Sequence, residues 1–452
     1  MKTRPGVRWR LPMAMAALVV LAPAACSSGS SGTGPGPASA VDMAAELTKP
    51  AELTFWTWVP DIQSEVDLFT KKYPNIKVNV VNVGQPPDYN TKLRTALKAG
   101  SGAPDVVQLE LHELPSFVLT NHVLDLSPYG AGSLKNVFLP WVWNQVTQGA
   151  VVHAIPQDTG PMGMLYRQDI FDEHGIAVPK TWDEFAAAAK KLHDADPNIY
   201  LTNLAPNNGT QFNGLLWQAG NRPFRSSGQN SLAVNIDDGA ARKVASYWTP
   251  LIQQGLVSTD PDFTDQWFRG FAGDKYATWL TAAWGPVFLQ NNAKGTEGKW
   301  RAAPLPQWKA GENISGNWGG SSNAVIRGSK YPAAAAALAQ FINSDPESTK
   351  LFASKQFLFP ATTALLSDQS FRDTPLPFYG GQKVNQVFAD ISSGVRTDYT
   401  WSPFQGYVFS VYTETAGKAM TDRQDIAAAL AQWQSNVVDY ARKQGFTVTE
   451  GG

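Results

Sequence analysis

The stretch ELTFWTWVP (52–60) is apolar and aromatic and stops at Pro60, which predicts a buried strand. Over 61–73, Ile62, Val66, Phe69 and Tyr73 recur at steps of three or four residues, the spacing of one helix face, and Pro74 ends it. IKVNVVNV (76–83) is β-branched and strand-like. A second helix is predicted over 89–99 with Leu93 and Leu97 on one face, and PDVVQLE (104–110) reads as a third strand. This β-α-β-α-β order predicts a parallel sheet with helices on both faces. Ligands of such sheets sit beyond the carboxyl ends of the strands, which points to Trp56, Trp58 and the segment 108–113.

Further along, Thr181 and Glu184 have the spacing of a capping box, so a helix is expected from Trp182 to about His193. Amphipathic helices are also expected over 237–254, 407–420 and 425–444. YATWL (276–280) is strand-like, and GNWGGSSNAVI (316–326) is Gly-rich before it becomes β-branched. The alanine run at 333–337 predicts a packed helix. No internal repeat is visible.

Length changes this picture by adding a second core: single cores stop growing near roughly 250–300 residues, and the chain has 452. The net charge of −1 is spread evenly, with no basic block, which argues against a nucleic-acid partner. The N-terminus is patterned differently from the body. Lys2, Arg4, Arg8 and Arg10 precede an uncharged apolar run over 11–25. A membrane span needs about 20 residues, so this run is read as the core of a signal peptide and export is expected. The lone cysteine, Cys26, follows directly, and 27–40 is almost entirely Ser, Gly, Pro, Thr and Ala, the composition of a flexible tether.

One cysteine excludes an internal disulfide. The five histidines show no i,i+3 or i,i+4 pairing, HELPS (112–116) lacks the second histidine of a zinc motif, and no phosphate-binding glycine loop or GxSxG elbow is present. No metal or cofactor is therefore expected. Glu110, Glu113 and Asp158 are the carboxylates that could form a glycosidase pair, or could simply accept hydrogen bonds from sugar hydroxyls.

The sixteen tryptophans are the unusual feature. Trp182, Trp217, Trp248 and Trp433 fit helix packing, whereas Trp56, Trp58, Trp284, Trp318 and Trp401 fall in loop contexts. An indole face covers the apolar side of a pyranose ring; roughly 75 Å² of shielded area contributes on the order of 2 kcal/mol.

The motifs LTFWTW, FTKKYPNIKVNVVNV, GSGAPDVVQLE, AIPQDTGPMGMLYRQDIFDEHGI, VPKTWDEF, GLLWQAGNRPF, WLTAAWGPV, GNWGGSSNAV and SPFQGYV occur in one order from about 52 to 440. As an ordered set they resemble the family 1 extracellular solute-binding proteins of bacterial ABC importers, of the sugar-binding kind. The resemblance implies an α/β, two-lobed, periplasmic-binding-protein-like fold of type II, with parallel-dominated sheets, helices on both faces and a hinged cleft. It places a signal peptide at 1–25, a tether at 26–43, lobe 1 at 44–158 plus 324–370, and lobe 2 at 159–323 plus 371–452.

Carried over residue by residue, the implied ligand positions are Trp56, Trp58, Asp61, Glu110, Glu113, Asp158, Trp284, Gly285, Trp318, Gly319, Gly320 and Trp401, with no catalytic residue. Cys26 resembles the lipid-modified first residue of a mature lipoprotein, although Pro23 stands where that motif usually carries an aliphatic residue. The implied function is capture of a mono- or oligosaccharide and its delivery to ABC permease subunits, by a monomer held to the outer face of the cytoplasmic membrane through its lipid alone. The alternatives are an exported glycoside hydrolase and a receptor that presents ligand to a surface sensor.

Overall fold

The structure is a computed structural model that describes residues 40–86, 88–228 and 230–451. Cys26, the signal peptide and most of the tether lie outside the described residues. Among those described, no helix is long and apolar enough to cross a membrane.

The strands that position the site are, in chain order, β1 (Ala51–Thr57), β2 (Ile76–Asn82), β3 (Val106–Glu110), β4 (Ile155–Asp158), β5 (Met162–Arg167), β6 (Phe224–Gly228), β7 (Ser231–Val234), β8 (Thr278–Ala282), β9 (Trp300–Pro304), β10 (Ser321–Val325) and β11 (Thr447–Glu450). The first sheet has the order β2-β1-β3-β10-β4. Its β2-β1-β3 part is parallel, as the alternating pattern predicts, with α1 (Gln63–Lys72) and α2 (Asp88–Ala99) as the crossovers. Strand β10 returns from far along the chain and pairs antiparallel with both β3 and β4. Ser321–Asn323, expected in the second lobe, are thus hydrogen-bonded into the first sheet.

The second sheet, β8-β5-β9, is antiparallel throughout, which departs from the parallel expectation. Strands β5 and β8, of six and five residues, are buried on both faces and read as short apolar runs, and such runs do not encode direction. A third sheet joins β6, β7 and the C-terminal β11.

Local signals explain most helices. Thr181 Oγ1 accepts from the Glu184 N–H at 3.2 Å, and Glu184 Oε2 accepts from the Lys180 N–H at 2.6 Å, one residue before the usual capping-box partner. The alanine run lies in a helix, Pro332–Ser344, whose Ala333 to Ala337 are all buried, Ala334 to Ala337 in the core of the first sheet. The helix expected over 407–420 is two helices, Gln405–Glu414 and Ala416–Thr421. Thr415 breaks it at φ −119°, ψ −90°. Gly417 explains the break: a Cβ there would lie 2.1 Å from the Pro206 carbonyl oxygen, so the chain bends to seat bare backbone.

Each main sheet has its own apolar core. Leu53, Phe55, Val106, Leu109 and Val325 centre the first, and Trp182, Trp248, Leu280 and Trp433 the second. A satellite holds Trp267, Trp279, Trp300 and Tyr379. The chain passes between the sheets at 159–161 and 317–320, and 359–361 runs beside them. The Thr159 N–H donates to the Phe359 carbonyl at 3.0 Å, the Trp318 N–H to the Gly160 carbonyl at 2.8 Å, and the Gly160 N–H to Asn317 Oδ1 at 2.9 Å. Gly160 is required by proximity, since a Cβ would sit 1.9 Å from the Trp318 carbonyl oxygen. Gly319 and Gly320 are required by conformation, with φ of +82° and +88°.

Candidate functional site

The carboxyl ends of β1, β3 and β4 meet the amino end of the antiparallel β10 at one edge of the first sheet. Register sets Glu110, Ser321 and Asp158 side by side on β3, β10 and β4. Ser321 Oγ donates to Asp158 Oδ1 and accepts from Gln108 Nε2 at 2.9 Å. Gln108 Oε1 in turn accepts from Thr57 Oγ1 at 2.7 Å and from the Trp58 N–H at 3.1 Å. One hydrogen-bonded line therefore runs from the loop after β1 to the end of β4. It fixes the backbone of Trp58 and the carboxylate of Asp158 in a common frame.

Burial acts strongly on these acids. It pushes Asp158 up to about 6; hydrogen bonds from Ser321 oppose the rise and the nearby Glu110 charge adds to it. Glu110 is raised by burial too, with His112 opposing and Glu113 adding. His112 Nε2 lies 3.7 Å from Glu110 Oε2 and 3.8 Å from Glu113 Oε1. Glu113 is anchored by Arg94 Nη2 at 2.7 Å, and Arg94 itself lies over the Phe117 ring. On its other side the His112 ring meets Trp401 at 5.8 Å and Phe409 at 5.4 Å.

Trp56 and Trp58 are half-buried and both set their rings edge-on to Tyr89, at 6.5 and 4.9 Å. The Tyr89 hydroxyl donates to the Trp56 carbonyl at 3.0 Å. Asp61 is exposed at φ +56°, and its carbonyl accepts from Gln356 Nε2 at 3.3 Å. Asp61 thus belongs to the same loop as Trp58 but lies outside the hydrogen-bonded line.

The second lobe supplies an aromatic group. Trp284 is half-buried at the start of the helix Gly285–Asn292, and its Nε1 donates to the Trp318 carbonyl at 2.8 Å. Its ring meets Trp318 at 4.8 Å, Phe288 at 5.5 Å and Phe263 at 6.1 Å. Gly285 packs on Thr281, whose Oγ1 and Cγ2 would lie 2.5 Å from a Cβ. Gly319 brings bare backbone beneath the Trp284 indole, with its Cβ position 3.3 Å from Nε1.

The structure therefore joins Trp58, Glu110, Asp158, Gly320 and Gly319 through the strand ends, with Trp284 and Gly285 beside them. Trp318 and Trp401 are only 4 % and 5 % exposed, so in this conformation neither offers a free face. Sequence reasoning missed Ser321, Tyr89, Phe263 and Phe288, and did not include His112 among the ligand positions. Ser321 follows the Gly319–Gly320 pair directly, and extending the glycine motif by one polar residue would have found it. Among the described residues no group of three or more His, Cys, Asp or Glu side chains could hold a metal ion.

A family model described as bacterial extracellular solute-binding protein matches residues 56–348. The lactose-binding protein of Rhizobium radiobacter is 25% identical over 362 residues, covering 75% of this chain and 81% of its own length. An arabinooligosaccharide-binding protein of Bacillus subtilis (strain 168) is 23% identical over 368 residues, covering 78% of this chain and 84% of its own. Among solved structures, the ABC transporter associated binding protein from B. animalis subsp. lactis Bl-04, in complex with β-1,6-galactobiose, is 32% identical. It has a TM-score of 0.77 and covers 89% of this chain and 100% of its own. The galacto-N-biose-/lacto-N-biose I-binding protein from Bifidobacterium longum, in complex with lacto-N-biose, is 27% identical with a TM-score of 0.77, covering 88% of this chain and 99% of its own.

Proposed function

This chain belongs to the bacterial extracellular solute-binding proteins, and from that premise we propose that it captures a short oligosaccharide between two lobes for an ABC importer. The observation that carries the reading is the row Glu110–Ser321–Asp158 at the strand ends, with half-buried Trp58 and Trp284 flanking it. Carboxylates accept from hydroxyls, and indole faces cover the C–H side of a pyranose. That relatives bind lactose, arabinooligosaccharides and β-1,6-galactobiose supports a saccharide of two or more units.

The residues proposed to bind it are Trp56, Trp58, Asp61, Glu110, Glu113 and Asp158 on one side. On the other are Trp284, Gly285, Trp318, Gly319, Gly320 and Trp401. Sugar that touches both sides favours the closed arrangement, because only contacts made in one state shift the population. In our reading the two lobes meet along the three passages at 159–161, 317–320 and 359–361, and the protein acts as a monomer. Cys26 is the proposed lipid anchor, with the residues after it as the tether.

Calorimetry against a panel of galactose-, glucose- and arabinose-containing disaccharides tests the function. The expected result is one or more ligands near micromolar Kd, about −8 kcal/mol. Binding of amino acids or polyamines with no saccharide bound overturns it. The anchor is tested separately: acyl-chain labelling is expected on the wild type and absent from Cys26→Ser, and label retained on that variant overturns it.

A further inference from the structure

Among the described residues Glu65, on α1, is the most completely buried carboxylate, at 0 % exposed. It touches a single π-helical turn, Phe352–Gln356, which is followed by Phe357 at φ +56°. Such turns are rare and are frequent at functional positions. Three contacts tie this turn to the start of α1. Lys355 Nζ donates to Ser64 Oγ at 3.0 Å, and Gln356 Nε2 donates to the Asp61 carbonyl at 3.3 Å and to Glu65 Oε2 at 3.4 Å. Two residues past Phe357, the Phe359 carbonyl accepts from the Thr159 N–H. Gln356 thus sits between the loop that carries Trp58 and Asp61 and the passage at 359–361.

Glu65 and Gln356 each keep one buried oxygen unmet, Oε1 in both. The Gln356 amide cannot turn over to relieve this, because its nitrogen already serves two oxygens, and its own oxygen in that place would face both. An ionised carboxylate only accepts, so it leaves the two orphans as they are. A carboxylic acid has one O–H donor. A proton on Glu65 Oε1, donated to Gln356 Oε1, meets both orphans at once and closes a two-bond acid–amide ring with the existing Gln356 Nε2 contact. Burial favours that form: it lifts the Glu65 pKa from 4.5 to about 7, with Lys355 and Gln356 opposing the rise and Asp61 adding to it. The elements packed on α1 bring little other charge. Helix Pro332–Ser344 has no charged side chain, and β2 has only the exposed Lys77. On helix Pro346–Leu351, Glu347 lines a groove with Lys71 and Lys72 at the far end of α1, and Lys350 pairs with Asp368 at 3.4 Å. On α1 itself the exposed Asp67 accepts from Gln63 Nε2 at 2.8 Å.

We propose that Glu65 is a proton-dependent positioning residue: as the neutral acid it clamps Gln356, and through Gln356 it holds the Trp58–Asp61 loop against the turn that leads to 359–361. Release of the proton to solvent opens the ring and frees the loop. Because folding raises this pKa, the clamp's contribution is complete below about pH 4.5 and is lost as pH rises through about 7. Its effect on sugar rests on the proposed function; the clamp itself does not.

NMR of the full chain with δ-¹³C-labelled glutamate reads the proton directly, the Glu65 signal being the one missing from Glu65→Gln. A midpoint near 7 is expected, and one in the ordinary glutamate range overturns the proposal. The amide of Glu65→Gln replaces the acid bond for bond and donates to Gln356 Oε1 at every pH. Hydrogen exchange of segments 58–62 and 352–358, compared at equal pH, should therefore match between wild type and variant at about pH 6. At about pH 8.5 it should be about three- to tenfold faster in the wild type. Equal rates at both pH values overturn the clamp. Gln356→Leu, which cannot form the ring, should exchange faster than wild type already at about pH 6. It also marks the Glu65 signal by displacing it, so it serves if Glu65→Gln fails to fold. Wild-type sugar affinity, divided by that of Glu65→Gln, should fall by the same factor over this range, and a constant ratio overturns the positioning role. Titration and exchange need no sugar, so absence of saccharide binding overturns the proposed function while the clamp stands or falls on those two readings.

Discussion

The two sides of the proposed cleft solve different problems. The first lobe offers acceptors, Glu110 and Asp158, at the ends of a largely parallel sheet, with Asp158 locked by Ser321 and Gln108, which reach across strands. The second offers rings, with Trp284 leaning on Trp318 and two phenylalanines, Phe263 and Phe288, 42 % and 43 % exposed beside it. Polar recognition needs geometry held to a fraction of an ångström, and a chain of buried hydrogen bonds supplies that. Ring stacking tolerates sliding, and a cluster of edge-to-face aromatics suffices for it. On the proposed reading the division puts direction on one lobe and adhesion on the other.

The comparison can be broken most forcefully by exchanging a ring in the aromatic group for one in the core. Trp433 is 1 % exposed and donates to the Val408 carbonyl at 2.9 Å. Trp433→Ala is expected to lower unfolding free energy by about 3–5 kcal/mol, with sugar affinity of the folded protein unchanged; urea unfolding and calorimetry read the two quantities. Trp284→Ala is expected to do the reverse, weakening affinity by about 30-fold, on the order of 2 kcal/mol, with a small change in the urea midpoint. Equal and small effects of both on affinity would reject the placement of the aromatic side.

Acidity separates the sides more finely. Burial raises Asp158 from its ordinary 3.8 to about 6, so the folded state holds a proton that the unfolded state has released over that interval. Its contribution to stability is complete below about pH 3.8 and declines as pH rises through about 6, a total of at most about 3 kcal/mol. The excess of wild-type stability at pH 5 over pH 7 should shrink in Asp158→Asn. Sugar affinity should move oppositely, falling about tenfold from pH 7 to pH 5 as the acceptor takes up its proton, with the stacking side indifferent to pH. Affinity that is flat across this range would remove Asp158 from the ligand.

The smallest effect concerns support at one remove. Ser321→Ala deletes the hydroxyl that bonds both Gln108 and Asp158, and should weaken binding by about 1 kcal/mol, or fivefold, while moving the Asp158 titration upward. An unchanged titration by NMR would show that the strand-end line does not tune the acid.

Much of this architecture is legible in local pattern. The apolar run of β1, the spacing of Val66 and Phe69, and the cap at Thr181 all describe short-range physics, and the structure places a strand and two helices there. Glu110 was legible as a strand-end acid, whereas Asp158 was placed in the site only through the family resemblance. Their union through Ser321 was not legible, because that residue lies 163 positions from Asp158 and 213 from Gln108. The direction of β8 and β9, the break at Thr415 and the burial of Trp318 and Trp401 also depend on distant partners. Phe263, at φ +55°, carries no local mark, since glycine, asparagine, aspartate and histidine are the residues that favour that conformation.

The proposed lobe passages at 159–161 and 317–320, with 359–361 running beside them, also have a mechanical meaning. Three separate ropes would let the lobes twist, splay or slide. These three are stitched to one another by backbone hydrogen bonds, with Gly160 pressed where no side chain fits. Stitched ropes behave as a single pin. On that reading we propose that they resist lateral shear and leave one soft rotation, taken up by the torsions of Gly319 and Gly320. Spin labels on the two lobes should therefore report distances that move together along one arc. Gly320→Ala, at φ +88° with an added Cβ 2.9 Å from the Asp158 carbonyl oxygen, should stiffen that arc, and because Gly320 is itself a proposed ligand residue the label distances are to be read without sugar.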